Sequence, residues 1–101
     1  MPLAGDQRAV DAVVRVGAEQ VGFELETRLI DAQAAARRAT LKQRDAGLAA
    51  MVLVLADTRS NRAALIDAAS TLRASFPLEA RAVMAALRAG RVPPANGIVL
   101  V

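Results

Sequence analysis

Residues 51–56 (MVLVLA) form an unbroken apolar run near the middle of the chain, bounded on the far side by the polar turn Asp57-Thr58-Arg59-Ser60-Asn61. The run is far shorter than the roughly 18 residues that a membrane-spanning helix needs, and its length suits a strand. A strand that is apolar on both faces needs cover on both faces. This segment therefore predicts the central strand of a sheet that carries helices on its two sides.

The flanking segments supply the rest of such a fold. Upstream, 10–16 (VDAVVRV) and 21–26 (VGFELE) are strand-like, and the short break at 17–20 between them predicts a β-hairpin. Side chains alternate across a strand, so Val21, Phe23 and Leu25 share one face while Gly22, Glu24 and Glu26 share the other. Residues 31–45 are rich in the helix formers Ala, Leu, Gln, Arg and Lys, with Asp31 placed to cap the start and Gly47 to close the end. After the apolar run, Asn61 is placed to cap a helix to residue 75 that buries Ala64, Leu65, Ala68, Ala69 and Leu72. Pro77 separates it from a helix over 78–89 closed by Gly90, and 93–97 (PPANG) turns the chain into a last apolar strand at 98–101. The expected order is β-β-α-β-α-α-β: an α/β chain with a small mixed sheet and helices on its faces.

A chain of 101 residues has room for one domain spanning 1–101, without an internal repeat or linker. Its hydrophobic share is 54% but its aromatic share only 2%, so the core must be built from Ala, Val, Leu and Ile. Cysteine and histidine are both absent, which removes thiolate nucleophiles, imidazole bases and zinc sites of the usual kind. Chemistry is left to carboxylates, hydroxyls and cations. The opening MPLAGDQR lacks the basic start and apolar stretch of a secretory signal, so a cytoplasmic location is expected, with no membrane partner. A net charge of +3 is a mild bias towards phosphate backbones and fits a solvated Arg-rich surface equally well.

The hairpin brings Asp11, Glu24 and Glu26 onto two adjacent strands. Clustered carboxylates raise one another's pKa unless a cation offsets them, and an all-oxygen set suits Mg²⁺ or Mn²⁺. On pattern alone, Glu24 and Glu26 also describe the solvated face of a half-buried strand.

The blocks 5–11 (GDQRAVD) and 22–31 (GFELETRLID) resemble the C-terminal domain of actinobacterial helix-turn-helix regulators of the xenobiotic-response-element type. The segments 41–45 (LKQRD), 56–62 (ADTRSNR), 74–78 (ASFPL) and 97–101 (GIVLV) extend that resemblance over most of the chain. Domains of this kind resemble the restriction-endonuclease-like, or PD-(D/E)XK, fold, here as a truncated core without the helix-turn-helix part. The resemblance implies Asp11 and Glu24 as metal ligands and puts Glu26 where that family has a lysine that activates water. A carboxylate cannot take over that role electrostatically. Lys42 and Arg38, four residues apart on one helix face, are the candidates to return a cation to the site, Lys42 the better and Arg38 in support. Gln33, one turn into the helix, is the candidate to orient a water. All three also fit a solvated helix face. Arg59 and Arg62, at the start of the next helix, are candidate phosphate contacts.

Three functions follow as expectations. The first is a nuclease-like, non-catalytic accessory domain of a DNA-associated transcriptional regulator. The second is a Mg²⁺-dependent nucleic-acid phosphodiesterase using Asp11, Glu24, Glu26 and Lys42. The third is an orphan dimerisation module that pairs with another copy or another protein through an exposed sheet edge. A cationic nitrogen beside Glu24 would favour the second.

Overall fold

The computed structural model describes residues 10–101; residues 5–9, from the first block of resemblance, lie outside them. The turn Gly17-Ala18 folds β1 (Ala12–Val16) back antiparallel onto β2 (Glu19–Glu26), with Val16 opposite Glu19 and Ala12 opposite Phe23. Gly17 takes φ +63° and, among the described residues, no non-glycine residue has a positive φ, the pattern of a tight two-residue hairpin turn with glycine first. The turn is shorter than the expected break, so β2 starts at Glu19. At the other end the chain bends at Asp11, which shortens β1.

Helix α1 (Ala32–Ala46) has the caps expected of it. Asp31 Oδ1 accepts from the Ala34 N–H at 3.0 Å, and Gly47 adopts the left-handed conformation at φ 66° and ψ 37°. The Leu48 N–H then reaches back to the Gln43 carbonyl at 3.0 Å, satisfying a carbonyl of the last turn and drawing buried Leu48 into the core. This helix is the crossover that lets β3 (Ala50–Leu55) lie parallel to β2.

Three helices, α2 (Arg59–Asp67), α3 (Ala69–Ser75) and α4 (Ala80–Arg88), separate β3 from β4 (Gly97–Leu100), which pairs parallel to β3. The sheet order is β1-β2-β3-β4. This is the expected mixed α/β architecture, with the helix expected over 61–75 divided in two. The backbone leaves helical geometry at Ala68, with φ −102° and ψ 16°. The break turns α3 so that Leu72 and Phe76 enter the core that α1 lines with Ala35, Ala36 and Ala39.

The two sheet faces carry separate cores. Met51, Leu53 and Leu55 point towards α1 and α3, whereas Ala50 and Val52 point with Val21 towards Val83 of α4. No helix among the described residues is long and apolar enough to cross a membrane.

The capping residue of α2 differs from expectation. Thr58 is the N-cap, accepting from the Asn61 N–H at 3.1 Å, and Asn61 lies within the helix with no exposed surface. Its Oδ1 accepts from the Leu29 N–H at 2.8 Å, while its Nδ2 donates to the Ala56 carbonyl at 2.8 Å and the Thr27 carbonyl at 3.1 Å. One amide thus ties the loop after β2 to the end of β3. Asn61→Ala would leave the buried Leu29 N–H without its acceptor and the Thr27 and Ala56 carbonyls without the amide donor, the latter keeping the Thr58 N–H, and we expect it to lower the unfolding free energy by about 2 kcal/mol in urea denaturation. A loss below about 1 kcal/mol would contradict this stapling role.

Candidate functional site

The stripe Gly22, Glu24, Glu26 lies on the inner face of β2, under α1. At Gly22 a Cβ would run into Leu48 and stand 3.2 Å from both Met51 Sδ and Val10 Cγ1, so glycine is what lets these apolar side chains close over the strand. Glu24 pairs in register with Leu53 of the buried central strand and is only 7% exposed. The solvated-face reading of this stripe therefore fails at Glu24. Leu25, on the opposite face, is 59% exposed instead.

A carboxylate in that position needs partners for both oxygens. Lys42 Nζ lies 2.8 Å from Glu24 Oε2, with the two side chains 13% and 9% exposed. Glu24 Oε1 accepts from the Asp11 N–H at 3.2 Å. Asp11 itself is exposed at the bend before β1, and its Oδ2 accepts from the Leu25 N–H at 2.8 Å. That carboxylate caps the sheet where β1 stops pairing. One helical turn before Lys42, Arg38 Nη2 lies 3.3 Å from Glu26 Oε1 in a more exposed pair.

The structure thus brings together Asp11, Glu24, Glu26, Lys42 and Arg38. Three carboxylates face two cations, arranged as two ion pairs between β2 and α1. Gln33 is exposed, and no hydrogen bond among the described residues ties it to the cluster. Among the described residues, no group of three or more His, Cys, Asp or Glu side chains is placed to hold a metal ion. A divalent cation held by Asp11 and Glu24 would compete with Lys42 for Glu24 Oε2.

The other candidate cations lie apart. Arg62 chelates Asp57, its Nη2 2.8 Å from Oδ2 and its Nε on Oδ1. The hydrogen bonds from Arg62 hold the Asp57 carboxyl below its ordinary value, and the carboxylate holds the Arg62 guanidinium above its own. Much of Arg62's charge is therefore committed within the protein. Arg59 is exposed at the first position of α2.

Two structural amides were not legible as such. Its position after the DTRS turn makes Asn61 look like a cap, yet it falls on the stripe of Ala64, Leu65 and Ala68 at helical spacing, the sequence sign that it points inward. Asn96 accepts from the Met51 N–H at 2.9 Å and donates to Gln43 Oε1 at 2.7 Å, joining the loop before β4 to β3 and α1. Nothing in the PPANG turn signals those partners, since Gln43 and Met51 are remote in sequence.

Comparison with protein-family models, with curated proteins and with solved structures gave no match, so the site is read from its own geometry.

Lys42→Met would leave the Glu24 carboxylate nearly buried with its cation gone, and we expect a loss of about 3 kcal/mol in chemical denaturation. Adding Glu24→Gln should recover most of it, because the uncompensated charge is then absent; failure to recover would show that the ion pair is not what couples α1 to β2. For Asp57 the folded pKa is depressed, so its contribution is present above the ordinary carboxylate range and is lost as pH falls through the folded value. The stability advantage of the wild type over Arg62→Ala should accordingly shrink on acidification below about pH 4. A difference that does not change with pH would exclude this pair as its source.

Proposed function

We propose that the chain is a nuclease-like accessory domain of a cytoplasmic, DNA-associated transcriptional regulator, in which the acidic cluster serves as an ion-pair lattice and not as a hydrolytic centre. The regulator context rests on the sequence blocks and their resemblance. The restriction-endonuclease-like analogy draws support from an acidic residue heading β1, from Glu24 and Glu26 on β2, and from a parallel β3 reached through α1.

The observation that carries the non-catalytic part is the state of Glu24. Both its oxygens are taken, by Lys42 Nζ at 2.8 Å and the Asp11 N–H at 3.2 Å, with its side chain 9% exposed. A ligand that needed this carboxylate would have to break a nearly buried ion pair, which is strongly unfavourable unless the ligand replaces the lost charge.

The same contact supports a second reading, Mg²⁺- or Mn²⁺-dependent phosphodiester hydrolysis. Lys42 supplies, from α1, a cation beside Glu24 that position 26 does not provide. Asp11 and Glu24 would hold the metal, which would supply Lewis-acid activation of water. Lys42 would be freed from Glu24 to offset charge developing on a phosphate.

Purified protein incubated with single- and double-stranded DNA and RNA, with Mg²⁺ or Mn²⁺, separates the two. The lattice reading expects no cleavage above that of an Asp11→Ala control and no metal-dependent rise in Tm. Metal-dependent cleavage that disappears in both Asp11→Ala and Lys42→Ala would establish the second reading in its place.

A further inference from the structure

The two edges of the sheet are built differently. Beyond β4, Leu78 forms an isolated parallel bridge with Gly97, where a Cβ would meet Val83 and stand 2.8 Å from the Leu78 carbonyl oxygen. That edge is therefore covered at its start. Beyond β1, no strand pairs among the described residues. Its strand sequence, Ala12-Val13-Val14-Arg15-Val16, contains no proline, glycine or lysine, and Arg15 is its one charged residue. Val13 and Val14 project to opposite faces of the strand and are 45% and 46% exposed.

The hairpin register fixes which main-chain groups are free. In a two-residue hairpin the pair flanking the turn exchanges hydrogen bonds, here Val16 with Glu19, so Val14 and Ala12 also turn their N–H and C=O groups towards β2. Val13 and Arg15 turn theirs outward. The Asp11 N–H is already given to Glu24, but its Oδ1 is left for a partner by the bond from Leu25 to Oδ2.

We propose that β1 pairs antiparallel with β1 of a second copy of this chain, about a two-fold axis at Val13, joining two four-stranded sheets into one. The sequence selects both partner and register. Centred on Val13, antiparallel pairing sets Val13 opposite Val13 of the partner subunit and Val14 opposite Ala12 of the partner subunit, and brings Asp11, at the bend just before the strand, beside Arg15 of the partner subunit at each end. The strand is thus complementary to itself in charge. Centring on Val14 would set Arg15 against a valine and Asp11 against Gly17, losing both charge pairs. Opposite charges facing each other across strands favour the first register. The contact is isologous, as a closed two-fold dimer requires. It does not depend on whether the acidic cluster turns over a substrate.

The test is the oligomeric state together with a cross-link. Sedimentation of the full chain, taken up to millimolar concentration, should show a monomer–dimer equilibrium. Arg15→Asp, which sets like charges face to face twice, should weaken it at least tenfold while leaving the far-UV circular dichroism and Tm unchanged. The chain has no cysteine, so Val13→Cys should form an intermolecular disulfide on mild oxidation, whereas Val14→Cys and the remote Ile66→Cys should form little. A monomer at all concentrations, a dimer indifferent to Arg15→Asp, or cross-linking through Val14→Cys in preference to Val13→Cys would each overturn the proposal.

Discussion

The contact on which the rest of the structure turns is the ion pair between Glu24 and Lys42. A carboxylate 7% exposed against a sheet of Met51, Leu53 and Leu55 is tolerable only with a cation and a further donor in place. Lys42 supplies the first from the third turn of α1, and the Asp11 N–H supplies the second from the head of β1. The helix is consequently held over the inner face of β2 at one rotation and one height. Arg38 and Glu26 repeat the contact closer to solvent. Ionic pairing and apolar packing share this interface, with Gly22 admitting Leu48 where a larger residue would hold it off.

Around that interface the fold is joined by a few buried amides. Asn61 holds the loop after β2 to the end of β3, and Asn96 holds the loop before β4 to α1 and β3. These loops carry main-chain polar groups past the core, where water cannot serve them, so side-chain amides serve them instead. With only two aromatic residues, the core relies on small side chains and close approach of its elements, as where β4 passes α4 at Gly97. Cover on the outer face is unequal. Val83 of α4 packs over Val21, Ala50 and Val52, while Leu25 and Val14 remain open.

The geometry recasts the acidic cluster in functional terms. As a bare constellation, three carboxylates on adjacent strands resemble an oxygen-rich metal site. With Lys42 and Arg38 in place they form a nearly balanced set of ion pairs, and among the described residues Asp11 and Glu26 each keep one oxygen free of protein partners while Glu24 keeps none. The cation that a nuclease-like reading lacks at position 26 is present, though it is engaged by the carboxylate it would have to release. Structural pairing and the proposed hydrolysis would therefore draw on the same atoms.

The sequence by itself determined the order of strands and helices and the two ends of α1. The caps of α1 at Asp31 and Gly47, the double-sided burial of β3 and the grouping of Gly22, Glu24 and Glu26 on one face all follow from local conformational preference and side-chain periodicity, which act over a few residues. Periodicity says which residues share a face and is silent on which face is inside. Here the acidic stripe went inward and Leu25 outward, because α1 brought its own cations to the stripe. The burial of Glu24 against Lys42, the conversion of Asn61 from cap to staple, and the break at Ala68 were decided by tertiary structure. Each depends on atoms separated widely along the chain, and only packing α1 and α3 on the same side of the sheet brings them within reach.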